Sequence, residues 1–356
     1  DHGAGAGAGT SGTGWSVGRS PFMIHMPVRL NLWPRRRWPV AAVMVAAALA
    51  IVALPTPRTL VRRRILAPLL HRALRRLDQA GWVPQRTTTY LGHPFIYPFD
   101  SMIGRAIARG EEWDTALGTI IPALLPMDNP LICDVGSNIG ASLLQIMKAK
   151  PAARVVAFEP SARFLPFLKR NVELAGAGEV EIVPLALGKQ RGTLQLYTNA
   201  TSSSAIARSY GQRPRRKELV AMTTLDDVFR LRAGVDFIKV DADGLDLAVL
   251  RGAEEVLRRD APILYFELFP TLLAIADAVA GLSWLRSLGY RSFACIGGAQ
   301  GAELLGQCDD PETCLALAEA TICFDALACC EGTPAYARFM DLVARMDGPG
   351  VNAQSN

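Results

Sequence analysis

Four short apolar runs, each carrying an acid at or near its end, constrain this chain more than any other feature. Leu131-Ile-Cys-Asp-Val135 opens into the turn Gly136-Ser-Asn-Ile-Gly140, and Arg154-Val-Val-Ala-Phe158 ends in Glu159-Pro160. Val235–Val240 ends in Asp241, and Ile263-Leu-Tyr-Phe266 ends in Glu267. Runs this short, separated by stretches of helical length, read as buried strands of a parallel sheet with helices on both faces. Val180–Val183 and Gly192–Tyr197 supply further strands. The fold expected is α/β, doubly wound and Rossmann-like. In such sheets ligands gather at the carboxyl ends of the strands. Asp134, Gly136, Glu159, Asp241 and Glu267 therefore fall along one edge.

The first turn narrows the ligand. Its glycines let the backbone turn sharply and approach a bound group closely. Their order is Asp-x-Gly-x-x-x-Gly, with Ser137 and Asn138 between Gly136 and Gly140, and not the dinucleotide fingerprint Gly-x-Gly-x-x-Gly. An uncharged turn with Asp134 at its mouth suits a positively charged amino group better than a pyrophosphate. Glu159, nineteen residues past Gly140, is placed to accept hydrogen bonds from both hydroxyls of a ribose.

Other chemistries find little support. The four histidines are His2, His25, His71 and His93, all ahead of the first of the four runs, which disfavours a Ser-His-Asp hydrolase. No tyrosine has a lysine four residues on, and no P-loop occurs. The seven cysteines begin at Cys133 and form no Cys-x-x-Cys pair, so the spacing indicates no metal site and favours a reducing compartment. A net charge of +5 hides a division. Residues 1–86 hold thirteen arginines against two acids (+11), and residues 87–356 hold 25 bases against 31 acids (−6). A basic nucleic-acid footprint on the main domain is thereby disfavoured.

The basic segment has a separate character. Residues 1–25 are Gly/Ala-rich and read as flexible linker. Val40–Leu54 is an unbroken apolar run of fifteen residues flanked by Arg35–Arg37 and by Arg58 with Arg62–Arg64. As a helix it spans about 22 Å, short of the roughly 30 Å hydrocarbon core. A short membrane anchor, a signal-peptide core and a buried helix all fit its length, and the flanking arginines favour the anchor. Leu60–Leu77 sets apolar residues and arginines at helical spacing, which reads as a basic amphipathic helix on anionic lipid or as an ordinary surface helix packed on the main domain, and the preceding apolar run favours the lipid. The expected organisation is a flexible segment over 1–25, an anchor and amphipathic helix over 26–85, and a helical lead-in over 86–130. The ligand-binding domain follows over 131–300, with a helical extension over 301–356.

Asp134-Val-Gly-Ser-Asn-Ile-Gly140, Ala157-Phe-Glu-Pro160 and Asp236-Phe-Ile-Lys-Val-Asp-Ala-Asp-Gly244, continued by Leu245–Ala253 and Ile263–Leu268, resemble the FkbM-type methyltransferases over about residues 125–298. The resemblance implies a class I fold that binds S-adenosylmethionine and methylates a hydroxyl, often on a sugar or polyketide-like acceptor. It places Asp134, Gly136 and Gly140 along the methionine end and Glu159 at the ribose, with Ser137 and Asn138 also in the cofactor-binding set. The chain departs from the family's usual Asp-Val-Glu-Gly-x-Glu with Asp243 and Asp246, each one methylene shorter. Among the acids at the end of the Val235–Val240 run, Asp241 is the first choice of general base, followed by Asp243. Asp246 and Glu267 are candidates for acceptor binding, although an acid opening a helix is stabilising there in any case. Lys239, a cation within an apolar strand, is expected to pair with a strand-end acid and is the third catalytic candidate. No metal is required. The expected partner is a small-molecule, glycan or lipid-linked hydroxyl acceptor, reached from a cytosolic domain held at a membrane surface. The rival readings are an NAD(P)-dependent oxidoreductase on a related fold and a non-catalytic membrane-associated scaffold.

Overall fold

Alternate side chains of a strand leave opposite faces of a sheet, and the central run shows what that does here. Leu131, Cys133 and Val135 enter one apolar core while Ile132 enters another. A computed structural model describes residues 83–199, 203–205, 216–232, 234–268, 275–297, 303–321 and 324–347, all within one unit, His71–Asn356. The anchor, the amphipathic helix and the Gly/Ala segment lie outside the described residues. Among the described residues no helix is long and apolar enough to cross a membrane.

The chain opens with a hairpin, β1 (Gln85–Tyr90) and β2 (His93–Pro98), followed by α1 (Met102–Ala108) and α2 (Ala116–Leu124). Then come β3 (Leu131–Val135), α3 (Ala141–Ala149), β4 (Arg154–Phe158), α4 (Leu165–Ala175) and β5 (Glu179–Val183). An insertion carries β6 (Ala186–Leu187), β7 (Gly192–Thr198), β8 (Ser203–Ser204) and β9 (Arg216–Thr223), which form a small sheet of their own. After α5 (Leu225–Phe229) the main sheet resumes with β10 (Val235–Val240), α6 (Asp246–Arg251), α7 (Glu254–Asp260) and β11 (Ile263–Leu268). The last elements are α8 (Ile275–Ser287), β12 (Phe293–Gly297), β13 (Glu303–Cys308), α9 (Pro311–Thr321), β14 (Phe324–Ala328) and α10 (Pro334–Met346).

The main sheet has eight strands in the order β13-β12-β14-β11-β10-β3-β4-β5, and the five from β11 to β5 are parallel neighbours. Helices α5 to α9 contribute to the core on one face, and α2, α3 and α10 to the core on the other. The chain leaves β3 toward β4 on one side and β10 toward β11 on the other. The gap between the carboxyl ends of β3 and β10 is thus the topological switch point, where such sheets bind ligands.

Two expectations need correcting. The lead-in is not purely helical, because Thr87–Thr89 and Phe95–Tyr97 pair across Leu91-Gly92 as a hairpin. Its Tyr90, Phe95 and Tyr97 pack with Ile103, Ile139 and Phe164. A buried Arg163–Asp100 ion pair at 2.7 Å joins the end of this hairpin to the segment after β4. The extension is not purely helical either. Its β13 and β14 join the main sheet, with β14 antiparallel to β11. The cysteine spacing favours a reducing compartment, yet Cys308 and Cys314 are bonded across the start of α9.

Candidate active site

The turn after β3 is stitched to both neighbouring strands. The Gly136 and Ser137 amides donate to the Phe158 carbonyl, each at 3.0 Å, and the Asp241 amide donates to the Val135 carbonyl at 3.0 Å. Gly136 sits at φ +81°, and a Cβ there would lie 1.8 Å from the Asp241 carbonyl oxygen. Only glycine lets the two strand ends meet. Gly140, at φ +91°, then caps α3. The Ser137 hydroxyl donates to the Asp134 carbonyl at 2.9 Å, closing the turn from beneath.

Glu159 is buried at the end of β4. One oxygen accepts the Asn138 amide at 2.9 Å and the other the Ser161 amide at 2.7 Å. Each oxygen keeps a lone pair beyond those bonds. Burial pushes this carboxyl up to about 8, against the lowering pull of the two amides. The insertion reinforces the corner. Glu218 of β9 accepts from the Ser161 hydroxyl at 2.8 Å and from the Ala162 amide at 3.2 Å.

A buried polar row crosses the sheet beneath the turn. Asp134, Lys239 and Tyr265 stand in register on β3, β10 and β11. Lys239, 2% exposed, lies 3.3 Å from Asp134, 0% exposed, and 3.5 Å from Asp241, which is 39% exposed. It also donates to the Ser142 hydroxyl at 3.3 Å. Burial opposes its charge, but Asp134 and Asp241 outweigh burial and hold the ammonium above its ordinary range. The Tyr265 hydroxyl continues the row, donating to Asp325 of β14 at 2.6 Å.

Asp114, in the segment between α1 and α2, faces the same row. It has a positive φ of 51°, and its Oδ2 is shielded from solvent without a hydrogen bond among the described residues. Burial pushes it up to about 7, with Lys239 pulling down and Asp325, Asp241 and Asp134 pushing further up. Asp325 rises to about 6, also by burial. The segment that carries Asp114 is pinned from outside. The Trp113 amide donates to the Tyr90 hydroxyl at 3.3 Å, and Gln145 of α3 donates to Glu112 at 3.0 Å.

The remaining candidates divide. Asp243, buried at φ 49°, lies in the turn after β10. Asp246 is buried and accepts the Ala242 and Gly244 amides at 3.0 and 3.1 Å, so its carboxylate shapes that turn. Burial first, then Asp241, pushes it up to about 8. Glu267, at the end of β11, is held well above the usual carboxylate range by burial and by Asp241, Asp246 and Asp243. The structure thus gathers Asp134, Gly136, Ser137, Asn138, Glu159, Lys239, Asp241, Asp243, Asp246 and Glu267 around the ends of β3, β4, β10 and β11. Asp114, Ser142, Glu218, Tyr265 and Asp325 are added to the sequence-derived set.

These carboxyls set a pH dependence. Glu159, Asp246 and Asp114 ionise near 8, 8 and 7 in the fold but near 4 in the unfolded chain. Between those values the native state binds more protons, so stability falls as pH rises. The contribution is complete below the unfolded carboxylate range, declines progressively above about pH 4, and is gone above the folded values near pH 7 to 8. Urea midpoints are expected to be higher at pH 5.5 than at pH 8. A midpoint that rises over this window contradicts the assignment.

A doubly wound sheet with a glycine turn at its switch point and an acid at each neighbouring strand end defines a class I methyltransferase fold. Residues 134–292 match the Methyltransferase FkbM domain. Over that segment the chain is similar to the FkbM-type methyltransferases. Methyltransferase sdnD of Sordaria araneosa is 30% identical over 159 residues, covering 36% of this chain and 61% of that protein. Methyltransferase 1 of Beauveria bassiana is 28% identical over 149 residues, covering 36% and 60%. The chain thus spans about three fifths of the length of these curated relatives. The crystal structure of Methyltransferase FkbM from Methylobacillus flagellatus matches at 20% identity with a TM-score of 0.32, covering 45% of this chain and 38% of that one.

Proposed function

We propose that the chain is an S-adenosylmethionine-dependent O-methyltransferase acting on a hydroxyl of a sugar, glycan or other small acceptor. The observation that carries this reading is the pairing of the open glycine turn with Glu159, whose two oxygens are oriented by the Asn138 and Ser161 amides. The residues fit such a cofactor. The spare lone pairs of Glu159 suit two ribose hydroxyls, and Gly136, Ser137, Asn138 and Gly140 offer backbone at close approach. Asp134 serves this surface from beneath, through its pair with Lys239. The chemistry supplied by the bound cofactor is a methyl group on a positively charged sulfur.

Asp241 is the carboxylate we assign to take the acceptor's proton, because it is the exposed end of the buried row. Lys239 is a positioning residue that holds Asp241 from below. Asp243 and Glu267 border the same opening and suit acceptor hydroxyls, while Asp246 keeps the turn that presents Asp243. The Val40–Leu54 run supports placing the domain at a membrane surface, beside a lipid-linked or glycan acceptor, and the cytosolic origin of S-adenosylmethionine supports the cytosolic side, since arginines on both flanks give no orientation. Release of the full chain by alkaline carbonate would remove that placement.

The test of the central reading is calorimetric titration with S-adenosylhomocysteine, with thermal unfolding alongside. Ligand at about a hundred times its dissociation constant stabilises a folded protein by about 2.7 kcal/mol. The parent is expected to show this shift. Glu159→Ala, assayed at a temperature where it remains folded, is expected to lose it. A folded parent without binding overturns the cofactor, and full binding by Glu159→Ala overturns the role of Glu159.

A further inference from the structure

Three buried cysteines converge on the sheet face opposite the polar row. Cys295 lies on β12, Cys308 ends β13, and Cys314 is in the first turn of α9. Their sulfurs all lie within 4.8 Å of one another, and Cys295 Sγ stands 3.7 Å from Cys308 Sγ. Cys308 and Cys314 are bonded, which leaves Cys295 as a third sulfur with no covalent partner.

The strand register says what this thiol is suited to. Cys295 stands opposite Gly306, and Cys308 stands opposite Phe293, so Cys295 and Cys308 are diagonal neighbours. Diagonal positions have Cβ atoms about 7 Å apart, whereas a disulfide needs about 3.8 Å. Exchange of the bond onto Cys295 therefore demands a backbone shift. A shared metal does not. Tetrahedral zinc with Zn–S of about 2.3 Å separates its sulfur ligands by about 3.8 Å, the spacing Cys295 and Cys308 already have.

We propose that the reduced chain binds one soft divalent cation of the zinc class through Cys295, Cys308 and Cys314. The cation tethers β12, β13 and α9, and the Cys308–Cys314 disulfide is the alternative, metal-free state of the same cluster. Passage from one state to the other is balanced. A dithiol gives two electrons and two protons to the disulfide and is itself oxidised to a cyclic disulfide. The three thiols then release three protons as they take the cation. Three protein ligands leave the fourth tetrahedral position to water or an added thiol. Burial pushes the Cys295 thiol up to about 12, so the cation itself must displace its proton.

The test uses the full chain, reduced with a dithiol, freed of it anaerobically, and titrated with Zn²⁺ or Co²⁺. One equivalent of zinc is expected by native mass spectrometry, and cobalt is expected to give thiolate-to-metal charge-transfer absorption. Cys295→Ser is expected to lose stoichiometric binding, and Cys295→Ala provides a second packing variant. Cys330→Ser, altering a half-buried cysteine outside the cluster, is expected to bind as the parent does. Circular dichroism of the oxidised variants reports folding separately. A reduced parent that takes no metal, or a folded Cys295 variant with the parent's stoichiometry and cobalt spectrum, overturns the proposal. The reading of the switch-point site does not enter this experiment.

Discussion

Gly136→Ala is expected to take the site apart while leaving most of the sheet's apolar core in place. The new Cβ would stand 1.8 Å from the Asp241 carbonyl oxygen, at a backbone φ of +81° that disfavours side chains. Backbone strain of about 1–3 kcal/mol adds to overpacking of similar size. Neither the turn nor the end of β10 yields without breaking the Asp241–Val135 bond. The expected result is a loss of about 4 kcal/mol by urea unfolding, together with loss of S-adenosylhomocysteine binding. Gly140→Ala makes a direct comparison. Its φ is also positive, but its Cβ would press only on the tip of the Leu168 side chain, at 3.1 Å, with Asn171 Cβ in ordinary contact at 4.0 Å. Its loss should be smaller. Equal losses for the two variants would show that the approach of β3 to β10 is not the governing constraint.

The second large effect lies under that turn. Lys239→Met removes the ammonium and leaves Asp134 charged at 0% exposure. Removing one partner of a buried pair costs about 3–5 kcal/mol, because the survivor is uncompensated. Asp241 is partly open to water and rehydrates, so it adds little to this loss. Lys239→Met combined with Asp134→Leu should recover most of the stability, since an apolar pair of similar volume replaces the ionic one. A double variant no more stable than Lys239→Met would assign the loss to packing instead of charge. The recovered variant should still fall short in methyl transfer, because Asp241 has lost its tether.

The site was legible where its residues sit at the ends of the runs that define the sheet. Gly136, Glu159 and Asp241 are local to their strands, and the doubly wound rule alone brings them together. Lys239 was legible for a different reason, as a cation in an apolar strand needs a counter-charge. Asp114 and Asp325 carry no such signal. One lies in a short polar segment before the sheet and the other almost two hundred residues after β3, so only the folded chain brings them to one row. The hairpin carries no strand signal in the sequence, because Thr87–Thr89 and His93–Pro98 lack the apolar alternation that marks a half-buried strand. β13 and β14 were hidden among alanine, cysteine and glycine, whose small side chains do not separate strand from helix. Glu218 was indistinguishable from a solvated acid until β9 was seen against the corner after β4.

The row formed by Asp134, Lys239 and Tyr265 also bears on how the sheet finds its order. β3 and β10 pair although a hundred residues separate them, and parallel strands rich in branched apolar side chains offer several alignments of similar hydrophobic merit. A slip by one residue turns every side chain to the opposite face. Lys239 would then lie with Ile238's neighbours among leucines and valines, an ammonium without a carboxylate. The row thus selects among alignments, disfavouring each one that parts Lys239 from Asp134. In that light the charges that organise the site act earlier, as the mark by which two distant segments of the chain recognise their correct alignment.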